Sequence, residues 1–535
     1  MPPITHLGAQ GPEKIILARL TGIKFVSAAD QVVKTGVSLT GVDVSAVPLL
    51  RKSDFPEVLK LFLDHPASFE SLQRIVVATS TYLEASGYPF LTIYLPQQDI
   101  TGGAVQVVVT VGRAEDIVKV KGAKYFNERQ YRAAIRQRPG EPIDTTDLQA
   151  DVDWLNRNPF RHVTTIAAPG AKVGSTDLEL RVDERLPLRL TAGYNNTGSL
   201  VSDEDRVFAG ITWGNAFGRG DQLGYQYSAS PDARTSVTHS GNYSTDLPWR
   251  HTLSVFGAYS ELVGRVSAPL SLKGHNGQLG LRYAIPLRPL RPKVTQDLTL
   301  GFDFKSSDNN LLFAEFPITD NLTQIAQFTA AYDLGFTDRW GGTSLGVNLF
   351  VSPGGLTSRN HGRYFAISRA GARADYVYGQ LTAQRQTRLP RGFTWSIRGV
   401  LQLSSANLLG SEQMVGGGAG SVRGYEEGEA YGDQGLFVSH EIGLPVKSVT
   451  RLFRAARWSD SLQAFAFEDF AVQASKDRLP GERRSTVLHS LGVGLRYQLR
   501  QNLSVDLSQG WQLRESGVSR SGDHARTHIS VQASY

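Results

Sequence analysis

Cysteine is absent from the 535 residues, and methionine occurs only 2 times. Without a thiol the chain has no disulfide, no thiolate metal ligand and no cysteine nucleophile. No stretch of about 18 or more consecutive apolar residues exists either, so a membrane-crossing helix is excluded and any passage through a bilayer requires a closed strand barrel. The formal charge of +6 would suit an anionic partner, but Lys and Arg are scattered and form no basic block, which argues against nucleic acid. Phosphate-cradling loops, serine elbows, zinc-protease helices and dinucleotide fingerprints are missing. The expectation is a chain with no catalytic residues, no cofactor and no bound metal, unable to hydrolyse ATP by itself. Residues 1–30 also lack the charged start, apolar stretch and small-residue cleavage site of a secretory signal. For an exported protein that implies a trimmed chain or a start placed too late.

What the chain has in abundance is glycine, at 54, with 19 Tyr, 24 Phe and 7 Trp. That composition suits strands better than helical bundles. From about Gly193 onward, apolar residues alternate with polar residues or glycine in short segments separated by Asn, Asp, Gly, Ser and Pro. Such alternation puts successive side chains on opposite faces of a strand. Leu223, Tyr225 and Tyr227 share one face, with Gln222, Gly224, Gln226 and Ser228 on the other. Leu279, Leu281, Tyr283 and Ile285 repeat the pattern, as do Leu298, Leu300, Phe302 and Phe304, and Leu491, Val493, Leu495 and Tyr497. A soluble propeller or a pair of sandwiches would also alternate. Aromatics near segment ends and a polar face of Gly, Ser, Gln and Arg favour a membrane barrel with a wet interior. Residues 185–535 hold about sixteen such segments, an even number as in outer-membrane barrels. In the last segment Thr527, Ile529, Val531, Ala533 and Tyr535 fall on one face, as expected of a lipid-facing strand that closes onto the first.

The first third mixes helical and strand patterns. In residues 36–113 a strand-like run, 37–44, precedes a helix with Val58, Leu59 and Phe62 and a second helix over 69–85 with Leu72, Ile75, Val76 and Tyr82; strands over 91–94 and 105–111 follow. In residues 114–184 the order recurs. A strand with Ile117, Val118 and Val120 leads to an Asn127-capped helix carrying Tyr131, Ala134 and Ile135, stopped by Gly140 and Pro142. A helix from Asp144 with Leu148, Val152 and Leu155 and strands over 163–167 and 178–182 complete it. The expected fold is therefore mainly β: a transmembrane barrel behind two tandem α+β units. Residues 1–35 are left as a linker-like segment or a shortened export or plug region.

Particular residues carry a resemblance. The run Asp153-Trp154-Leu155-Asn156-Arg157-Asn158-Pro159-Phe160-Arg161 is followed by Pro169-Gly170 and by Gly174-Ser175-Thr176-Asp177-Leu178. Gly193-Tyr194-Asn195-Asn196-Thr197-Gly198, Trp213-Gly214-Asn215 and Val422-Arg423-Gly424-Tyr425 come later. On these residues the chain resembles, across nearly its full length, the two-partner secretion transporters of the ShlB/FhaC/HecB family of haemolysin secretion and activation proteins. The two α+β units look like that family's POTRA domains, and the VRGY motif is shared with a superfamily that includes the barrel-assembly protein BamA. The resemblance implies a Gram-negative outer membrane, an arm in the periplasm and an unfolded secreted partner, a β-helical adhesin or cytolysin, that folds outside. Outer-membrane lipid and, during insertion, the barrel-assembly machinery are the other implied partners. The family also has an N-terminal plug helix; residues 1–13 here contain Pro2, Pro3, Gly8, Gly11 and Pro12 and do not read as a helix.

By strand count the VRGY motif sits in a long connection, 404–434, between the eleventh and twelfth strands. In the family the equivalent loop folds back into the lumen. A permanently charged Arg423 held there needs an acidic partner, and Phe467-Glu468-Asp469 resembles the family's F-x-D pattern. The expectation is an Arg423–Asp469 ion pair, with Phe467 beside it, Gly424 making the tight turn and Tyr425 packing on the wall. A surface loop with an accidental Arg-Gly-Tyr is the plainer reading. Arg219-Gly220-Asp221 reads as a periplasmic turn, and the sequons at Asn195 and Asn242 as strand-end polar residues. His524 and His528 share a face without a third ligand, and Glu426, Glu427 and Glu429 cluster beside the motif without a sugar cleft. A barrel-assembly factor of the same superfamily, with three or more POTRA units, and a passive porin are the competing functions.

Overall fold

The computed structural model describes residues 14–535 apart from 52–54, 116–117, 173–174, 200–201, 265–269, 289–290, 292, 309, 314–315, 318–320, 453–458 and 519–523. It falls into two units, Met1–Leu186 and Pro187–Tyr535. The supposed plug region 1–13, Ile117 and Gly174 lie outside the described residues.

The first unit holds two α/β modules. In the first, the sheet runs Gly41–Asp43, Gly22–Val26, Ala104–Val111, Leu91–Tyr94. The boundary expected at residue 36 therefore moves back. Residues 22–26 form an inner strand that pairs in parallel with 104–108, and Ile23 and Phe25 are fully buried in its core. The run over 37–44 shrinks to a three-residue edge strand, because Gly41 takes a left-handed φ of 93°. Helix Phe69–Ala85 starts at Ser68, whose hydroxyl accepts from Ser71 N in a capping box, and buries Leu72, Ile75, Thr79 and Leu83 at three- and four-residue spacing. The preceding helix, Phe55–Lys60, ends before Phe62 and leaves Val58 exposed.

In the second module, Ser175–Glu184 is the middle strand. Arg113–Ala114 and Lys119–Lys121 lie parallel along one edge, and Arg161–Pro169 lies antiparallel along the other. The helices Glu128–Ala134 and Thr145–Leu155 are capped by Asn127 and Asp144. The first stops at Ala134, ahead of the Gly140 and Pro142 expected to end it.

The run from Leu155 to Gly170 is mostly structural. Leu155 is buried; Asn156 exchanges side-chain hydrogen bonds with Val163, donating to its carbonyl at 3.0 Å and accepting from its N–H at 2.7 Å. Pro159 lies between Asn158, whose amide oxygen accepts from Phe160 N, and the strand that follows. Arg161 Nε donates to Leu155 O at 2.7 Å, and its guanidinium lies over the Phe126 and Tyr131 rings. Tyr131 donates to Glu184 at 2.6 Å, and burial together with this hydrogen bond raises its pKa. Pro169 ends the edge strand, and Gly170 sits where a Cβ would strike the Glu115 carboxylate. These residues join helix to strand.

The second unit is a closed antiparallel barrel. Its sixteen strands are β1 Leu188–Asn195, β2 Arg206–Ala216, β3 Asp221–Ala229, β4 Ser236–Asp246, β5 Thr252–Gly264, β6 Leu270–Leu287, β7 Val294–Ser307, β8 Thr323–Thr337, β9 Gly341–Pro353, β10 Asp375–Arg388, β11 Thr394–Ser404, β12 Gln434–Gly443, β13 Asp460–Ala474, β14 Thr486–Leu499, β15 Leu503–Gln512 and β16 Ala525–Ser534. Leu279, Leu281, Val347, Leu491, Val493 and Leu495 point outward and are exposed, forming the apolar belt that lipid requires. Strand β16 closes onto β1, with Val531 opposite Tyr194; Ile529 lies just beyond the ladder and Tyr535 is exposed at its end. Arg219 and Gly220 lie in a tight β2–β3 turn, held by Asn215 Oδ1 accepting from Gly220 N, and Asp221 opens β3. No helix among the described residues is long and apolar enough to cross a membrane.

Candidate functional site

The longest connection, residues 405–433 between β11 and β12, turns back against the inner wall. A short hairpin, Met414–Gly416 with Ala430–Gly432, forms its stem. Acidic residues fix both ends of the stem. Glu412, its side chain fully buried, accepts from Lys305 Nζ at 2.6 Å, Gln327 Nε2 at 2.9 Å and Tyr378 Oη at 2.9 Å. Asp433, equally buried, takes Arg369 at 2.6 Å and the backbone N–H groups of Leu408 and Lys476. A buried carboxylate is tolerable only when charged or polar donors surround it, and both meet that condition.

At the tip, Arg423 reaches the wall. Its Nε donates to Asp469 Oδ2 at 2.8 Å, its Nη2 to Oδ1 at 3.0 Å and its own backbone N–H to Oδ2 at 3.1 Å. This is the two-point geometry that a guanidinium fork gives and an ammonium cannot. Ser439 Oγ adds a fourth donor to Asp469 at 2.6 Å. The Arg423 guanidinium lies 3.4 Å from the centre of the Phe467 ring. Asp469 is 0% exposed and Arg423 only 11%. Glu441 faces the other side of the guanidinium at 3.4 Å and is itself held by Arg496 at 2.9 Å.

Wall glycines make room for this cluster. A Cβ at Gly492 would lie 2.1 Å from the Phe467 ring, and one at Gly510 would lie 2.6 Å from the Arg423 carbonyl carbon. Gly424 has a φ of 97° and faces the Gly510 backbone, so the turn needs glycine for its conformation and for its contact. Val422 and Tyr425 are fully buried in a cluster with Met414, Phe437, Ala471 and Leu488. Tyr425 Oη donates to the Arg514 carbonyl and accepts from His489 N at 3.0 Å. Beside the loop, a cavity of about 470 Å³ is lined by Asp297, Asp333, Thr382, Gln384 and Arg398, and Arg398 donates to the Gly420 carbonyl.

Arg423, Asp469 and Phe467 are thus brought together, with Gly424 and Tyr425 packed as the motif suggested. Sequence reasoning missed Ser439, Glu441 and Arg496, and both stem carboxylates. Ser439 and Glu441 were findable in principle, since they share one strand face two residues apart.

The family of haemolysin secretion/activation proteins ShlB/FhaC/HecB matches residues 174–493. The chain belongs to that family. A ShlB-type POTRA domain matches residues 37–112. Sequence relatives include the outer membrane transporter CdiB of Dickeya dadantii, 24% identical over 431 residues covering 74% of this chain and 70% of that one. The hemolysin transporter protein ShlB of Serratia marcescens is 22% identical over 492 residues, covering 88% and 82%. Among solved structures, CdiB from Escherichia coli superposes with a TM-score of 0.81 at 17% identity, covering 100% of this chain and 93% of that one. BamA from Haemophilus ducreyi, lacking its POTRA domains 1–3, gives 0.51 at 16% identity, covering 94% and 100%. This ShlB-family chain is accordingly an outer-membrane transporter of the two-partner secretion type, acting with a secreted partner protein; the POTRA domains of its homologues are periplasmic.

Proposed function

We propose that the POTRA arm captures the N-terminal secretion signal of an unfolded partner polypeptide and that the barrel passes the chain to the cell surface, with the 405–433 loop shaping the lumen. The observation that carries this reading is an open strand edge. Residues 161–169 pair along their whole length with 175–184, and no strand among the described residues pairs on their other side. Such an edge accepts an extended segment through backbone hydrogen bonds alone, which suits a moving chain of changing sequence.

The transport step uses no ATP and no enzymatic chemistry on this reading; the free energy comes from the partner folding outside, as a β-helix. Insertion of the barrel itself falls to the barrel-assembly machinery. The test is coexpression with the product of a neighbouring long reading frame rich in Gly, Asn and short β repeats, reading its appearance on the cell surface. Deleting either POTRA module is expected to abolish surface appearance while the barrel still assembles. Arg423→Ala is expected to slow export; a variant that inserts normally and exports at the unaltered rate would remove the loop from the mechanism.

A further inference from the structure

The join between the first and last strands is the shortest in the barrel. Strands β1 and β16 share five register pairs, Thr191 with Ser534 through Asn195 with Ser530. Every other neighbouring pair has eight or more. Beyond Asn195 the pairing is continued by one residue: Asn196 N donates to Ile529 O at 3.2 Å, its Nδ2 to Thr527 O at 2.8 Å, and its Oδ1 accepts from Ile529 N at 2.8 Å. Residues 525–528 of β16 therefore extend past the β1 ladder, their backbone met on that side, among the described residues, only by the Asn196 side chain at Thr527.

The tip of the lumen loop meets β16 at this place. Arg526 is 10% exposed and bridges two carboxylates: Glu204, in the β1–β2 connection, at 2.9 Å, and Glu426, in the loop tip. Two residues on, the His528 ring is buried, neither ring nitrogen has a hydrogen-bond partner among the described residues, and Nδ1 lies 4.0 Å from Glu427. Glu427 in turn accepts from Ala419 N within the loop. Glu429 accepts from Ser516 in the β15–β16 connection. Glu426 and Glu429, beside the VRGY motif, are thus tied to β16 and to the connection that precedes it, which gives them a use that no sugar chemistry supplied.

We propose that Arg526 is a positioning residue that fastens the loop tip to the β1–β16 join, so that the loop and the closure of the barrel loosen together. One cation serves the loop, the last strand and the first connection at once. Withdrawing the loop strips Arg526 of Glu426 and leaves the part of β16 beyond the short ladder held to the β1 side by Asn196 and Glu204. The inference concerns the barrel's mechanics and stands whether or not the arm binds a secretion signal.

The test is hydrogen–deuterium exchange on the full-length protein in detergent, comparing wild type with Arg526→Gln. Amides of the loop tip, 416–429, and of the join, 188–196 and 525–534, are expected to exchange on the order of tenfold faster, the scale of one lost charge-assisted hydrogen bond. Strand β9, remote in sequence from the join, is expected to be unchanged. If only the loop tip speeds up and the join stays protected, the coupling is refuted. Should Arg526→Gln fail to insert, Glu426→Gln cuts the same bridge from the loop side and is expected to give the same pattern. Arg526→Glu combined with Glu426→Arg restores opposite charges; protection returning at both segments supports the bridge, and protection returning at neither overturns it.

Discussion

Replacing Arg423 by Ala leaves the Asp469 carboxylate fully buried with two of its four donors gone, keeping only the residue-423 backbone N–H and Ser439. Breaking a buried ion pair from one side costs roughly 3–5 kcal/mol, because the surviving charge is left uncompensated. The lost contact with the Phe467 ring adds about 1 kcal/mol. Since about 1.4 kcal/mol is tenfold in an equilibrium constant, the docked loop is expected to open at least a hundredfold more often. Opening is read directly by hydrogen exchange at residues 414–432 or by protease cleavage in the Gly416–Gly420 stretch, at a protease concentration where cleavage follows the open population. Arg423→Lys keeps the charge without the fork and is expected to fall between wild type and Arg423→Ala. If Arg423→Ala exchanges within about threefold of wild type, the ion pair does not hold the loop, and the stem carboxylates must carry the docking.

Other substitutions probe separate parts. Gly510→Ala, whose methyl would meet the Arg423 backbone at 2.6 Å, is expected to displace the loop while keeping the Arg423 and Asp469 side chains intact, seen as faster loop cleavage in a barrel that still resists heat in detergent. Tyr425→Phe removes a buried hydroxyl with two backbone partners and is expected to destabilise docking by about 1–2 kcal/mol, measured by the same exchange. Asn156→Ala unties the helix end from Val163 and is expected to cost about 1–3 kcal/mol of local stability, read as faster exchange across 155–169 with the barrel unchanged.

The barrel was legible because its strands are half exposed to lipid and half to water, a division that writes itself into alternate residues. The strand number came through for the same reason: each crossing of the belt repeats the pattern, as in residues 279–285 and 491–498. The Arg423–Asp469 pair could be reached because a charge inside a protein demands a counter-charge, and the strand count limited where to look. The supporting shell was not legible. Glu412 and Lys305 are 107 positions apart in the chain, and Arg369 and Asp433 are 64 apart; only barrel closure brings such residues together. The inner strand 22–26 was missed because it is only five residues long, so that Ile23, Lys24 and Phe25 give a single period of alternation, too short a run to read as a strand. The helix end at Ala134 was missed because a backbone N–H bound to the buried Asp151, that of Arg136, redirects the chain ahead of any glycine or proline.

At Gly424 and Gly510 the loop and the wall touch main chain to main chain. A contact of that kind has almost no side-chain freedom with which to accommodate a partial retreat. It is either seated or lost, which makes the loop behave as a latch with two positions and not as a spring. Neither glycine can acquire even a methyl group unless the opposing segment first backs away, so alanine at both positions is expected to unseat the loop further than alanine at either.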